Sequence, residues 1–93
     1  MDETPLIMRA RVGNRGAFAE LYARYERRIF VYLLRRLGAD RPDDAADLTR
    51  LTFLKAFLAT ANTDERLRVN AWLHRIAANL SIGWHRRDGR AHR

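Results

Sequence analysis

The sequence predicts an all-α domain, a compact bundle of four helices at about 5–12, 16–37, 43–60 and 70–88. Apolar residues recur at helical rather than alternating spacing. The intervening segments carry residues that start and stop helices. No stretch shows the period-two pattern of a half-buried strand. Ninety-three residues with 47% apolar side chains suffice for one core and not for two.

Thr4-Pro5 reads as an N-cap followed by proline at the first helical position, and Gly13-Asn14 stops that short helix. The 16–37 helix carries the stripe Phe18, Leu21, Tyr22, Tyr25, Ile29, Tyr32 and Leu33. Arg35 and Arg36 fall in its last turn, where cations suit the dipole, and Gly38 is placed as a C′ glycine. The 43–60 helix follows Asp40-Arg41-Pro42, with Asp43, Asp44 and Asp47 crowding its positive end. It is apolar on two sides. Ala45, Leu48, Leu51, Thr52, Ala56 and Ala59 form one arc, and Phe53, Leu54 and Phe57 a second. Such a helix either lies in the middle of its bundle or presents one side to a partner.

Ala61–Arg68 is polar and reads as a loop. On the 70–88 helix, Leu73, Ile76, Ala77, Leu80 and Trp84 fall on the core side. Arg75, Asn79, Ile82 and Arg86 fall opposite, with Trp72 and Ala78 at the margins. One domain over 1–88 is expected, with 89–93 as a disordered basic tail.

The charge is unevenly placed. From Arg66 onward there are seven arginines and one acid, Asp88, so +6 of the net +7 lies in the last third. Such a field suits a polyanion, most simply a nucleic-acid backbone. Guanidinium forks hold phosphates, a carboxamide reads base edges, and an indole stacks on unpaired bases. The alternative is a solvated arginine face whose tryptophans serve the core.

Other functions find little support. There is no cysteine, hence no disulfide frame or thiolate metal site. His74, His85 and His92 lack metal-ligand spacing, and Ser81, the only serine, has no triad around it. No glycine-rich phosphate loop is present, so neither an enzyme nor a cofactor is expected. No apolar run reaches the roughly 18–20 residues of a membrane span, and a cytoplasmic protein is expected.

The blocks AFAELYARYERRIFVYLLRRLG, DDAADLTRLTFLKAF and VNAWLHRIAANL followed by HRR resemble region two of an extracytoplasmic-function sigma factor, from about Leu6 to Arg87. The resemblance implies a domain that binds RNA polymerase and recognises and melts the minus-ten promoter element. It implies that the 43–60 helix docks on the clamp helices of the largest polymerase subunit, near Asp47, Arg50, Leu51, Leu54 and Lys55. It further implies that Ala61–Arg68 forms the pocket for a base flipped from the non-template strand. Arg66, Arg68, Trp72, Arg75, Asn79, Arg86 and Arg87 would then face DNA.

The chain departs from the family pattern at three points. Arg50-Leu51 stands where Gln-Glu usually precedes Thr-Phe. Val69 stands near the place of an aromatic that often precedes the last helix. The second promoter-binding domain of such factors is not in this sequence, so an excised domain is expected. Two further readings stay open: a protein-interaction domain held by an anti-sigma regulator, and a generic basic helical DNA-binding domain.

Overall fold

The structure, a computed structural model, describes residues 15–59 and 68–91, with side chains through Asp88. Three α-helices make it up: α1 (Arg15–Leu37), α2 (Pro42–Ala59) and α3 (Val69–Ala91). The expected bundle of four is therefore corrected to three among the described residues. The expected helix at 5–12 lies outside them. Each of the three packs against both others, and their apolar stripes close one core. The all-α class stands.

α1 supplies Leu21, Tyr25, Ile29, Leu33 and Leu37 to the interior, every fourth residue. α2 supplies Ala45, Leu48, Thr49, Thr52, Phe53 and Ala56. Val69, Leu73, Ala77 and Ser81 form the buried stripe of α3. The alanines at contact positions let the helices approach closely. The buried hydroxyls are satisfied within α2: Thr49 Oγ1 donates to the Ala45 carbonyl and Thr52 Oγ1 to the Leu48 carbonyl, each at 2.7 Å.

The α1–α2 turn is tight. Gly38 has φ 123°, and its N–H donates to the Leu34 carbonyl at 2.8 Å, closing α1. Arg41 N–H donates to the Gly38 carbonyl at 3.0 Å, and Pro42 opens α2 at the position where a missing N–H costs nothing. A Cβ on Gly38 would lie 2.8 Å from Asp40 Oδ1. Gly38→Ala is therefore expected to lower stability by about 1–2 kcal/mol, read as a shifted urea midpoint with an unchanged m-value.

α1 and α3 run parallel, with α2 antiparallel to both. Tyr32 meets His74 edge-on at 4.8 Å, and Arg36 Nε donates to Ser81 Oγ at 2.8 Å. Arg41, just before α2, reaches Asp88 near the end of α3 at 3.7 Å and lies 5.6 Å over the Trp84 ring. α3 continues to Ala91, past the expected end at 88 and through Gly89. An interior glycine costs only about 1 kcal/mol relative to alanine, so it does not by itself end a helix. No described helix is long and apolar enough to cross a membrane.

Candidate nucleic-acid interface

α3 positions most of the residues singled out as DNA-facing. Its N-terminal turn is fixed by Val69, 3% exposed, and by the Trp72 N–H donating to the Arg68 carbonyl at 2.9 Å. Val69 is thus a core residue.

From this anchored turn the helix divides into three strips. The buried strip carries Leu73 and Ala77, with Trp84 packed beside them. The outer strip carries Arg75, Asn79, Ile82 and Arg86, all exposed as the helical wheel predicts. The third strip faces α2. There Trp72, Ile76, Asn79 and Leu80 meet Lys55, Leu58 and Ala59 across an open groove of about 650 Å³.

This groove brings Trp72 and Asn79 together. The indole is half-buried, packed on the core along one side and lining the groove with the other. Arg75 stands on the adjacent outer strip, one turn before Asn79. Arg68 is exposed, one turn before Trp72. Arg86 and Arg87 are exposed but lie about 10 Å further along the axis. Arg87 folds back over Gly83, where a Cβ would lie 3.7 Å from one guanidinium nitrogen. Arg66 and the expected base pocket, apart from Arg68, lie outside the described residues.

α2 resolves its two-sided pattern. Phe53, which the helical wheel groups with Leu54 and Phe57, is 3% exposed, because Tyr22 of α1 packs against it with ring centroids 4.6 Å apart. Leu51, which the helical wheel groups with Ala45, Leu48 and Ala56, is exposed, unlike those three. Asp47, Leu51, Leu54 and Leu58 recur every three or four residues and form one outward stripe. Leu54 is 53% and Leu58 70% exposed. Arg50 stands beside the stripe and is paired to Asp47 at 2.8 Å, an exposed pair that contributes little. Phe57 also reaches solvent, held edge-on to Phe18 at 4.9 Å.

Leu58 is the residue that sequence reasoning missed here. Its signal was its spacing, four after Leu54 and seven after Leu51. Lys55, assigned from the sequence to the polymerase surface, also lines the groove with Trp72 and Asn79. Chemically, the groove and outer strip can stack on a base, hydrogen-bond its edge and hold phosphates. The leucine stripe suits a protein surface.

The family model for sigma-70 region 2 matches residues 21–91, which covers all three helices. The chain belongs to the sigma-70 region 2 family. This region 2 domain is of the extracytoplasmic-function type. It is 30% identical over 76 residues to the ECF RNA polymerase sigma factor SigW of Bacillus subtilis, covering 82% of this chain and 40% of that protein. It is 37% identical over 76 residues to the ECF RNA polymerase sigma factor BldN of Streptomyces coelicolor, covering 81% of this chain and 28% of that protein. The chain thus spans less than half the length of either. Among solved structures, an engineered region 2 of sigmaE in complex with GTAAAA superposes with a TM-score of 0.85 at 26% identity. That match covers 98% of this chain and 93% of the other.

Proposed function

We propose that this region 2 domain acts in transcription initiation, docking on RNA polymerase through the outer stripe of α2 and holding an opened minus-ten promoter strand along α3. The observation that carries the reading is the α2–α3 groove, where Trp72 and Asn79 stand beside the arginine strip of α3. An indole and a carboxamide side by side offer an unpaired base stacking and edge hydrogen bonds that it lacks inside a duplex. Binding the open strand in preference to the closed one lowers the cost of melting. The solved relative in complex with GTAAAA supports the same reading.

The domain works by binding rather than by bond chemistry, in the cytoplasm where polymerase acts. Arg68, Arg75, Arg86 and Arg87 hold phosphates, which makes affinity fall with salt. Selection by the domain, mixed with core polymerase, from a randomised single-stranded DNA pool is expected to enrich one motif of a few nucleotides. A pool that stays random would overturn the reading. The exposed Leu51, Leu54 and Leu58 also fit a second occupant, an anti-sigma regulator that competes with polymerase for the stripe. Co-purification of a stable heterodimer that excludes polymerase would establish that regulator.

A further inference from the structure

A second groove lies on the other side of α3, between it and α1. It is open, about 810 Å³, and five arginines of α1 line it: Arg24, Arg27, Arg28, Arg35 and Arg36. Tyr32, Asn70 and His74 complete most of the lining, and among the described residues no carboxylate contributes to it. The sequence hides this concentration. The first 65 residues balance to a net +1, because ten acids spread along them, among them Asp43, Asp44 and Asp47 of α2, offset eleven basic residues.

Two of these guanidinium groups are held in place. Arg28 lies over the Tyr25 ring at 5.7 Å. Arg36 lies over the Tyr32 ring at 5.4 Å, and its Nε donates to Ser81 Oγ. That hydrogen bond uses one of its five N–H donors. Pre-placed guanidinium forks match phosphate oxygens and lose less entropy on binding. His74 is fixed too, its Nδ1–H donating to the Asn70 carbonyl at 2.7 Å.

We infer that the α1–α3 groove is a phosphate track for single-stranded nucleic acid, continuing the strand whose bases meet the α2–α3 groove. The inference rests on the proposed role of α3 and extends it. The two grooves flank one helix, and the outer strip with Arg75 lies between them, so a strand crossing α3 passes from one to the other over positive charge. Arg24 to Arg36 spans about 18 Å along α1. That length matches about five phosphates at duplex spacing, fewer in an extended strand. An acidic polypeptide is the competing occupant. The regular row of forks, with Tyr32 and His74 rings among them, favours nucleic acid.

The test compares oligothymidylates of six and twelve nucleotides, bound to the intact chain across a salt series. The longer tract is expected to bind at least ~tenfold tighter, with a steeper salt slope. The combined variant Arg27→Gln, Arg28→Gln and Arg35→Gln, all at exposed positions, is expected to lose that gain and flatten the slope for the longer tract by about 2. Retention of the full length-dependent gain in the variant overturns the track. So does a twelve-residue polyglutamate that binds the wild type as tightly as the longer tract and loses affinity equally in the variant. Pool selection separates the two levels. A variant that still enriches the wild-type motif while losing the length gain supports both. A wild type that enriches no motif, with the length gain still lost in the variant, removes the promoter reading and leaves the track standing.

Discussion

Replacing Leu54 with glutamate is expected to weaken RNA polymerase binding roughly 30-fold or more while leaving the helical fold intact. Leu54 stands at the centre of the outward stripe, with Leu51 and Leu58 one turn to either side, and is 53% exposed. An apolar side chain at the middle of a protein contact is where binding energy concentrates. Glutamate there would bring a charge into a surface that must lose water. The expected loss is about 2 kcal/mol or more, roughly 30-fold in affinity for core polymerase. Stability should change by less than about 0.5 kcal/mol, because the position is on the surface and glutamate is a good helix former. Arg50→Ala should do far less, since it removes only an exposed ion pair. Titration with core polymerase, alongside thermal melting, checks both. Unchanged affinity in the glutamate variant would show that polymerase docks elsewhere.

Trp72 and Asn79 should separate affinity from specificity. Trp72→Leu keeps apolar bulk toward the core and removes the indole from the groove. Its expected cost is about 1–3 kcal/mol on single-stranded DNA of every sequence, since stacking is indifferent to base identity. Asn79→Ala, at an exposed position, should instead lower discrimination between the preferred motif and its single-base variants, by about 1–3 kcal/mol at one position. Anisotropy titrations with the selected motif and those variants distinguish the two. A Trp72→Leu protein that binds as well as the wild type, or an Asn79→Ala protein that discriminates as well, would remove that residue from the base-reading groove.

Much of the fold was legible wherever one pattern had one meaning. The period of Leu21, Tyr25, Ile29 and Leu33 admits a single buried face, and Gly38 sits where its positive φ requires glycine. α2 was harder because it is apolar on two sides. A helical wheel orders residues around an axis but does not say which side meets a neighbour. Packing of Tyr22 on Phe53 settles that, and it turns Leu51 outward. The outer strip of α3 followed from its period, whereas the groove joining Trp72 to Lys55 and Leu58 depends on how α2 lies beside α3. Net charge found the C-terminal arginines and missed those of α1, because a sum along the chain discards which face each charge occupies.

Lys55 and Leu58 belong to two surfaces at once. They wall the groove that holds Trp72 and Asn79, and they adjoin the outward stripe of Leu51 and Leu54. A protein seated on that stripe would fix the rotamers of both side chains before a strand arrives, so the strand would meet a wall already ordered. The two binding events would then be linked, and linkage is reciprocal: whatever factor polymerase adds to strand affinity, the strand must add to polymerase affinity. The domain would in that case respond to two simultaneous inputs, weakly to either alone and strongly to both.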